Sequence, residues 1–195
     1  MGIKLHVAWR DKPTRRGFSM IDSQGERAIT VIGERLAPNY RDNLDWDILK
    51  KMDGIFITAS DSEIFKMARS ASILCTTPRV GINTINKSNV SLDGLIGSNL
   101  DPGEEFSFSE LLVKPKYTIK TEGEKGGIIF PGGRYEALKN KDRKVDSYGC
   151  GDSFAAGILY GMASNWDIDK SLNLAKVIGR DSSEFFGPYA NSDEK

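Results

Sequence analysis

The stretch Asp146-Ser147-Tyr148-Gly149-Cys150-Gly151-Asp152-Ser153-Phe154 decides how the chain is read. An acid opens it, two glycines bracket a small residue, and a second acid stands where a helix should begin. Backbone without bulky side chains at a helix N-terminus can receive a phosphate. A carboxylate beside that pocket can take a proton from an attacking hydroxyl. Together the two parts point to phosphoryl transfer.

Outward from this stretch, the pattern is that of an α/β protein. Gly54–Ala59, Ser72–Thr76 and Leu95–Ser98 are short apolar runs, as in strands buried on both faces. Between the first two, Asp61 can cap a helix over Ser62–Ser70, with Ile64, Phe65 and Ala68 at helical spacing. Leu44–Met52 suggests another short helix. Asn, Ser and Lys dilute residues 81–93, which carry no clear pattern. Tyr117–Thr121 and Gly127–Phe130 are strands around the glycine-rich Glu122–Gly126, and Arg134–Leu138 suggests one more. The last third is helical, over Ser153–Ser164 and then over Lys170–Phe185 behind a cap at Asp169. Strand and helix alternating over short connections imply a layered α/β fold with a mostly parallel sheet. The first 35 residues differ: Leu5–Trp9, Gly17–Ile21 and Ala28–Ile32 are strand-like, with a turn over Ile21–Glu26.

Composition narrows the function. The 195 residues are 39% hydrophobic, enough for one domain with a core. Lys+Arg and Asp+Glu both count 27, so no basic excess points to nucleic acid or an anionic membrane. No segment approaches ~18 consecutive apolar residues, and no signal core follows the start. The two cysteines, Cys75 and Cys150, suit reduced thiols in a cytoplasmic protein. The single histidine, His6, lies in a strand-like run, which argues against a Ser-His-Asp triad or a His-rich metal site.

Two glycine-rich segments are candidates for a phosphate site. Thr121-Glu122-Gly123-Glu124-Lys125-Gly126-Gly127 follows a strand but does not end in the Gly-Lys-Ser/Thr of a P-loop. Gly149-Cys150-Gly151 lacks the third glycine of a dinucleotide fingerprint. Alone, each glycine run is as well explained by a turn. Their order is more specific: Thr-x-Gly-x-x-Gly at a strand end, a hairpin, then Asp-Ser-x-Gly-x-Gly-Asp at a helix start. This series resembles the PfkB family of carbohydrate kinases, the ribokinase-like superfamily. Its signature, approximately Asp-Thr/Ser-x-Gly-Ala-Gly-Asp-x-Phe, is met here with Cys150 in place of Ala. Gly187-Pro188-Tyr189 resembles, more weakly, the family's loop over the nucleotide.

The resemblance implies a ribokinase-like three-layer α/β fold over residues 1–195, with a β lid segment over 1–35. It implies ATP-dependent phosphorylation of a hydroxymethyl group on a sugar or nucleoside. Asp152 would be the general base, and Gly149, Cys150 and Gly151 the anion hole. Thr121, Gly123, Gly126 and Gly187 would bind the nucleotide. Asp146 and the Tyr148 carbonyl fall where some members hold a monovalent cation, such as potassium; the alternative is that Asp146 only orients the loop. Asn99 fits the start of an Asn-x-x-Glu element that organises magnesium. Its fourth position is Pro102, so Asp101 or Glu104 would substitute, or the segment is a solvated acidic loop. The N-terminal part of the family pattern, with its Gly-Gly element and sugar-binding Asp, is missing. This implies a weak or inactive kinase, or a noncatalytic nucleotide-binding or regulatory relative. Lid strands can also serve as a homodimer surface.

Overall fold

The computed structural model describes residues 2–22, 27–140 and 145–187. Six strands form one sheet in sequence order: β3 (Gly54–Ile57), β4 (Ile73–Thr76), β5 (Gly94–Ser98), β6 (Tyr117–Thr121), β7 (Gly127–Phe130) and β8 (Gly133–Tyr135). β3 to β6 are parallel, and β7 and β8 return antiparallel. Two further strands, β1 (Arg16–Ile21) and β2 (Arg27–Ile32), form a separate antiparallel ribbon.

Alternation along the strands builds three layers, because successive side chains point to opposite faces. Leu74 and Leu95 face one side, where α1 (Ser62–Ala68) contributes Ile64, Phe65 and Ala68, and α2 (Ile82–Ser88) contributes Ile85. Their neighbours Cys75 and Ile96 face the other side. There they meet Phe154, Ile158 and Met162 of α3 (Cys150–Ala163) and Leu172 and Ala175 of α4 (Ile168–Asp181). Burial at this depth pushes the Cys75 thiol up to about 12, with the Asp93 charge adding to it.

α3 and α4 touch backbone to backbone. A Cβ added at Gly157 would lie 2.7 Å from the Ala175 Cα, and one at Gly161 would lie 2.4 Å from the Ser171 hydroxyl. Small residues therefore set how closely these helices pack. Asp61 caps α1 as its sequence suggests, accepting from the amides of Glu63 and Ile64.

Several local expectations change. Leu5–Trp9 forms no strand, since alternation makes a strand only where another strand pairs with it. The Leu44–Met52 helix is a 3-10 turn over Trp46–Lys51, and Asp45 makes no side-chain cap bond. Residues 81–93, which carry no clear pattern, contain α2, a helix that buries only Ile85 and Ser88. α4 is capped by Asp167, two residues before Asp169. The turn residues Ser23–Glu26 lie outside the described residues. The β1–β2 ribbon carries apolar side chains on both faces: Phe18, Met20 and Ile32 on one, Ile29 and Val31 on the other, all exposed.

Gly157→Val forces a branched side chain between the two helices. It should lower unfolding free energy by roughly 1–3 kcal/mol, the usual cost of overpacking, as read by urea denaturation.

Candidate active site

The parallel strands β4, β5 and β6 all end on the same side of the sheet, and ligands in open α/β sheets sit beyond such ends. Here a cavity of about 340 Å³ opens between the β6–β7 turn, the segment after β8, the start of α3 and the end of α4. Its wall includes Thr121, Gly123 and Gly126 from the turn and Cys150 and Gly151 from the helix start. Residues nearly 30 positions apart in sequence thus share one hollow, as the motif order suggests.

Each wall has a local cause. The Glu122 amide donates to the Gly126 carbonyl at 2.7 Å and closes the turn. Gly126 has φ +84°, and a Cβ there would lie 2.0 Å from the Tyr135 carbonyl oxygen, so only glycine fits. Glu122 latches the turn from outside, accepting from Asn99 at 2.9 Å and Arg134 at 2.5 Å. The Arg134 hydrogen bond, followed by that from Asn99, holds the Glu122 carboxyl below the usual carboxylate range. Tyr135 stacks on Phe154 at 6.0 Å between ring centroids. Its hydroxyl is buried without a hydrogen-bond partner among the described residues, and burial, then the Glu122 charge, pushes its pKa up.

The start of α3 is built by Asp146. This carboxylate is 1% exposed. Its Oδ1 accepts from the Tyr148 amide and its Oδ2 from the Gly187 amide, both at 3.0 Å. It thereby joins the entry loop of α3 to the loop after α4. Gly149 (φ +82°) caps α3 with no side-chain hydrogen bond, whereas α1 and α4 carry aspartate caps. The first turn of α3 keeps its amides clear of any capping side chain at the edge of the cavity. Asp152 stands exposed in that turn. Pro188 and Tyr189 lie outside the described residues.

The acidic loop is arranged differently from its sequence appearance. Glu104 is buried, not solvated: one oxygen accepts from the Ser98 amide at 2.6 Å, the other from Arg79 Nε at 2.5 Å. Asp101 accepts from the Gly103 amide and pairs with Arg79 Nη2. Asn99 turns away to Glu122. The structure brings Asp101 and Glu104 together on Arg79, a residue that the sequence pattern does not single out. The one available signal was a basic residue just beyond a buried parallel strand. Burial alone would lower the Arg79 pKa. The Glu104 hydrogen bond and the charges of Asp101, Glu104 and Asp152 outweigh it and raise that pKa.

Among the described residues no group of three or more His, Cys, Asp and Glu is placed to hold a metal ion. No helix among them is long and apolar enough to cross a membrane.

The fold matches a probable sugar kinase from Rhizobium etli CFN 42 at TM-score 0.68 and 18% identity, over 90% of this chain and 62% of that one. It matches adenosine kinase from Sinorhizobium meliloti at TM-score 0.68 and 19% identity, over 91% and 63%. Arabidopsis thaliana ribokinase, solved with ribose and ATP, matches at TM-score 0.67 and 16% identity, over 91% and 65%. The chain has the ribokinase-like fold and spans less than two thirds of the length of these structures. Residues 108–189 match the pfkB family of carbohydrate kinases, so the resemblance read from Asp146–Phe154 is borne out. No curated protein matches the chain.

Asp146→Ala strands two backbone amides. It should cost about 1–3 kcal/mol and raise amide exchange at Tyr148 and Gly187, as measured by hydrogen-exchange NMR.

Proposed function

We propose that this chain carries the nucleotide half of an ATP-dependent sugar or nucleoside kinase. The observation that carries the reading is the shared hollow of Thr121, Gly123 and Gly126 with Cys150 and Gly151, at a helix start that has no side-chain cap. An orphaned Tyr135 hydroxyl and a glycine-floored turn at the same hollow suit a ligand that brings its own polar groups.

In this reading ATP lies along the turn, with its phosphates at the Gly149–Gly151 amides. Those donors meet the charge that develops on the transferring group. The acceptor hydroxymethyl oxygen attacks the γ-phosphorus in line and its proton passes to Asp152. The bond to the bridging oxygen breaks, and ADP leaves with the electron pair. Little proton transfer precedes a loose transition state, so the carboxylate mainly orients the hydroxyl and receives its proton late.

Magnesium does not fit Asn99, Asp101 and Glu104 as direct ligands. All four carboxylate oxygens accept protein donors, and the Asn99 amide faces Glu122. A triphosphate would therefore bring its own magnesium rather than find one on these three residues. A potassium ion at Asp146 and the Tyr148 carbonyl would compete with two backbone amides for the Asp146 oxygens. No step is assigned to either ion.

A noncatalytic nucleotide-binding role is the second reading: the same hollow would hold a nucleotide without turnover. We also assign the doubly apolar β1–β2 ribbon as the surface for a second copy, because an isolated two-stranded ribbon is marginal in water. Acceptor contacts are not assigned.

Calorimetric titration should show ATP binding, and complete alkylation mapped to Cys150 should abolish it, since that thiol lines the hollow. Asp152→Asn should keep ATP affinity within about twofold while sugar-dependent ADP release falls about 100-fold or more. Absence of ATP binding would sink both readings; binding without turnover in the parent chain selects the second. Sedimentation should give a dimer that Phe18→Lys with Val31→Lys converts to monomer; a monomeric parent chain refutes the pairing.

A further inference from the structure

One side of the cavity wall is assembled from three chain segments. Ser98 and Leu100 come from the end of β5, Thr121 and Gly123 from the β6–β7 turn, and Tyr135 from β8. Each segment also carries a residue that is not in the wall. Asn99 stands between Ser98 and Leu100, Glu122 between Thr121 and Gly123, and Arg134 just before Tyr135. Those three residues are joined to one another behind the wall. Glu122 Oε1 accepts from Asn99 Nδ2 at 2.9 Å, and Oε2 accepts from Arg134 Nη2 at 2.5 Å. The Asn99 amide adds a bond to the Thr121 carbonyl at 2.9 Å.

The turn has little of its own to fix it. Gly123 and Gly126 hold positive φ, +59° and +84°, and no side chain caps the short 3-10 turn that begins at Glu122. Glycine gives up more conformational freedom on ordering than any other residue. A lone exposed ion pair would hold such a turn weakly. Here one carboxylate ties two other segments to the turn at once, on a side chain only 16% exposed. The facing wall, at the start of α3 and the end of α4, is fixed independently by the close packing at Gly157 and Gly161. The width of the hollow is therefore set on the side that Glu122 holds.

We propose that Glu122 is a positioning residue for the nucleotide: from behind the wall it holds Ser98–Leu100, Thr121–Gly123 and Tyr135 at the separation that admits the part shared by ATP and ADP. This rests on the nucleotide reading above. Glu122 touches no ligand and takes part in no bond that forms or breaks. It acts through the spacing of the wall, so it serves both nucleotides alike.

The test is calorimetric titration of the full chain with magnesium-ATP and with magnesium-ADP, well below the melting temperature of each variant. E122Q sets an amide nitrogen against one of the two donors and should weaken both nucleotides about tenfold, the scale of coupling between directly paired residues. R134E should do the same. N99A removes one donor and keeps the Arg134 pair, so it should weaken both about threefold. In the exchange variant E122R/R134E the bridge forms again with its charges reversed, and the Asn99 amide turns its oxygen to the new cation. Affinity for both nucleotides should then return to within about threefold of the parent chain. A loss confined to ATP, unchanged affinity in folded E122Q and N99A, or an exchange variant that binds no better than R134E overturns the role of Glu122 and leaves nucleotide binding standing. A parent chain that binds neither nucleotide overturns both.

Discussion

The site depends on one buried carboxylate. Asp146 spends its two oxygens on backbone amides from two loops, Tyr148 before α3 and Gly187 after α4. Without that clamp the turn at Gly149 has no fixed direction, and the amides of α3 have no fixed target. A charged acceptor for two amides is stronger than a neutral one, and burial makes its loss more costly. The first acid of the motif thus joins the two loops through their amides, while Asp152 stands exposed in the first turn of α3.

The same economy runs through the acidic loop. Glu104 is buried because it has two protein donors, one from the cavity wall and one from Arg79. Charge there is organised around arginine, and the β6–β7 turn is latched separately by Glu122 between Asn99 and Arg134. Two ion-pair networks flank the hollow, one fixing the turn and one fixing a guanidinium.

The parts legible in the sequence are those whose causes are local. The run at Gly54–Ile57, the Asp61 cap and the glycine-bracketed start of α3 depend on neighbours within a few residues. Residues Ile82–Ser88 escaped because the helix buries little and its pattern is diluted by polar side chains. Leu5–Trp9 misled because alternation describes a strand without saying whether a partner is present. Arg79 was invisible for another reason: its partner Glu104 is 25 residues away, and a solvated acid and a buried one look alike until the chain is folded. The ribokinase-like class was legible because the motif order is itself a topological statement.

The close seating of α4 on α3 has a mechanical meaning for the cavity. Gly157 and Gly161 let the helices meet through their backbones, so the start of α3 and the Gly179–Ser183 end of α4 belong to one stiff block. A hollow with one stiff wall can change its fit only from the opposite side. Differences in cavity shape among chains built this way should therefore concentrate in the segment after β8, Ala137 to Asn140, where side chains can vary without disturbing the helix pair.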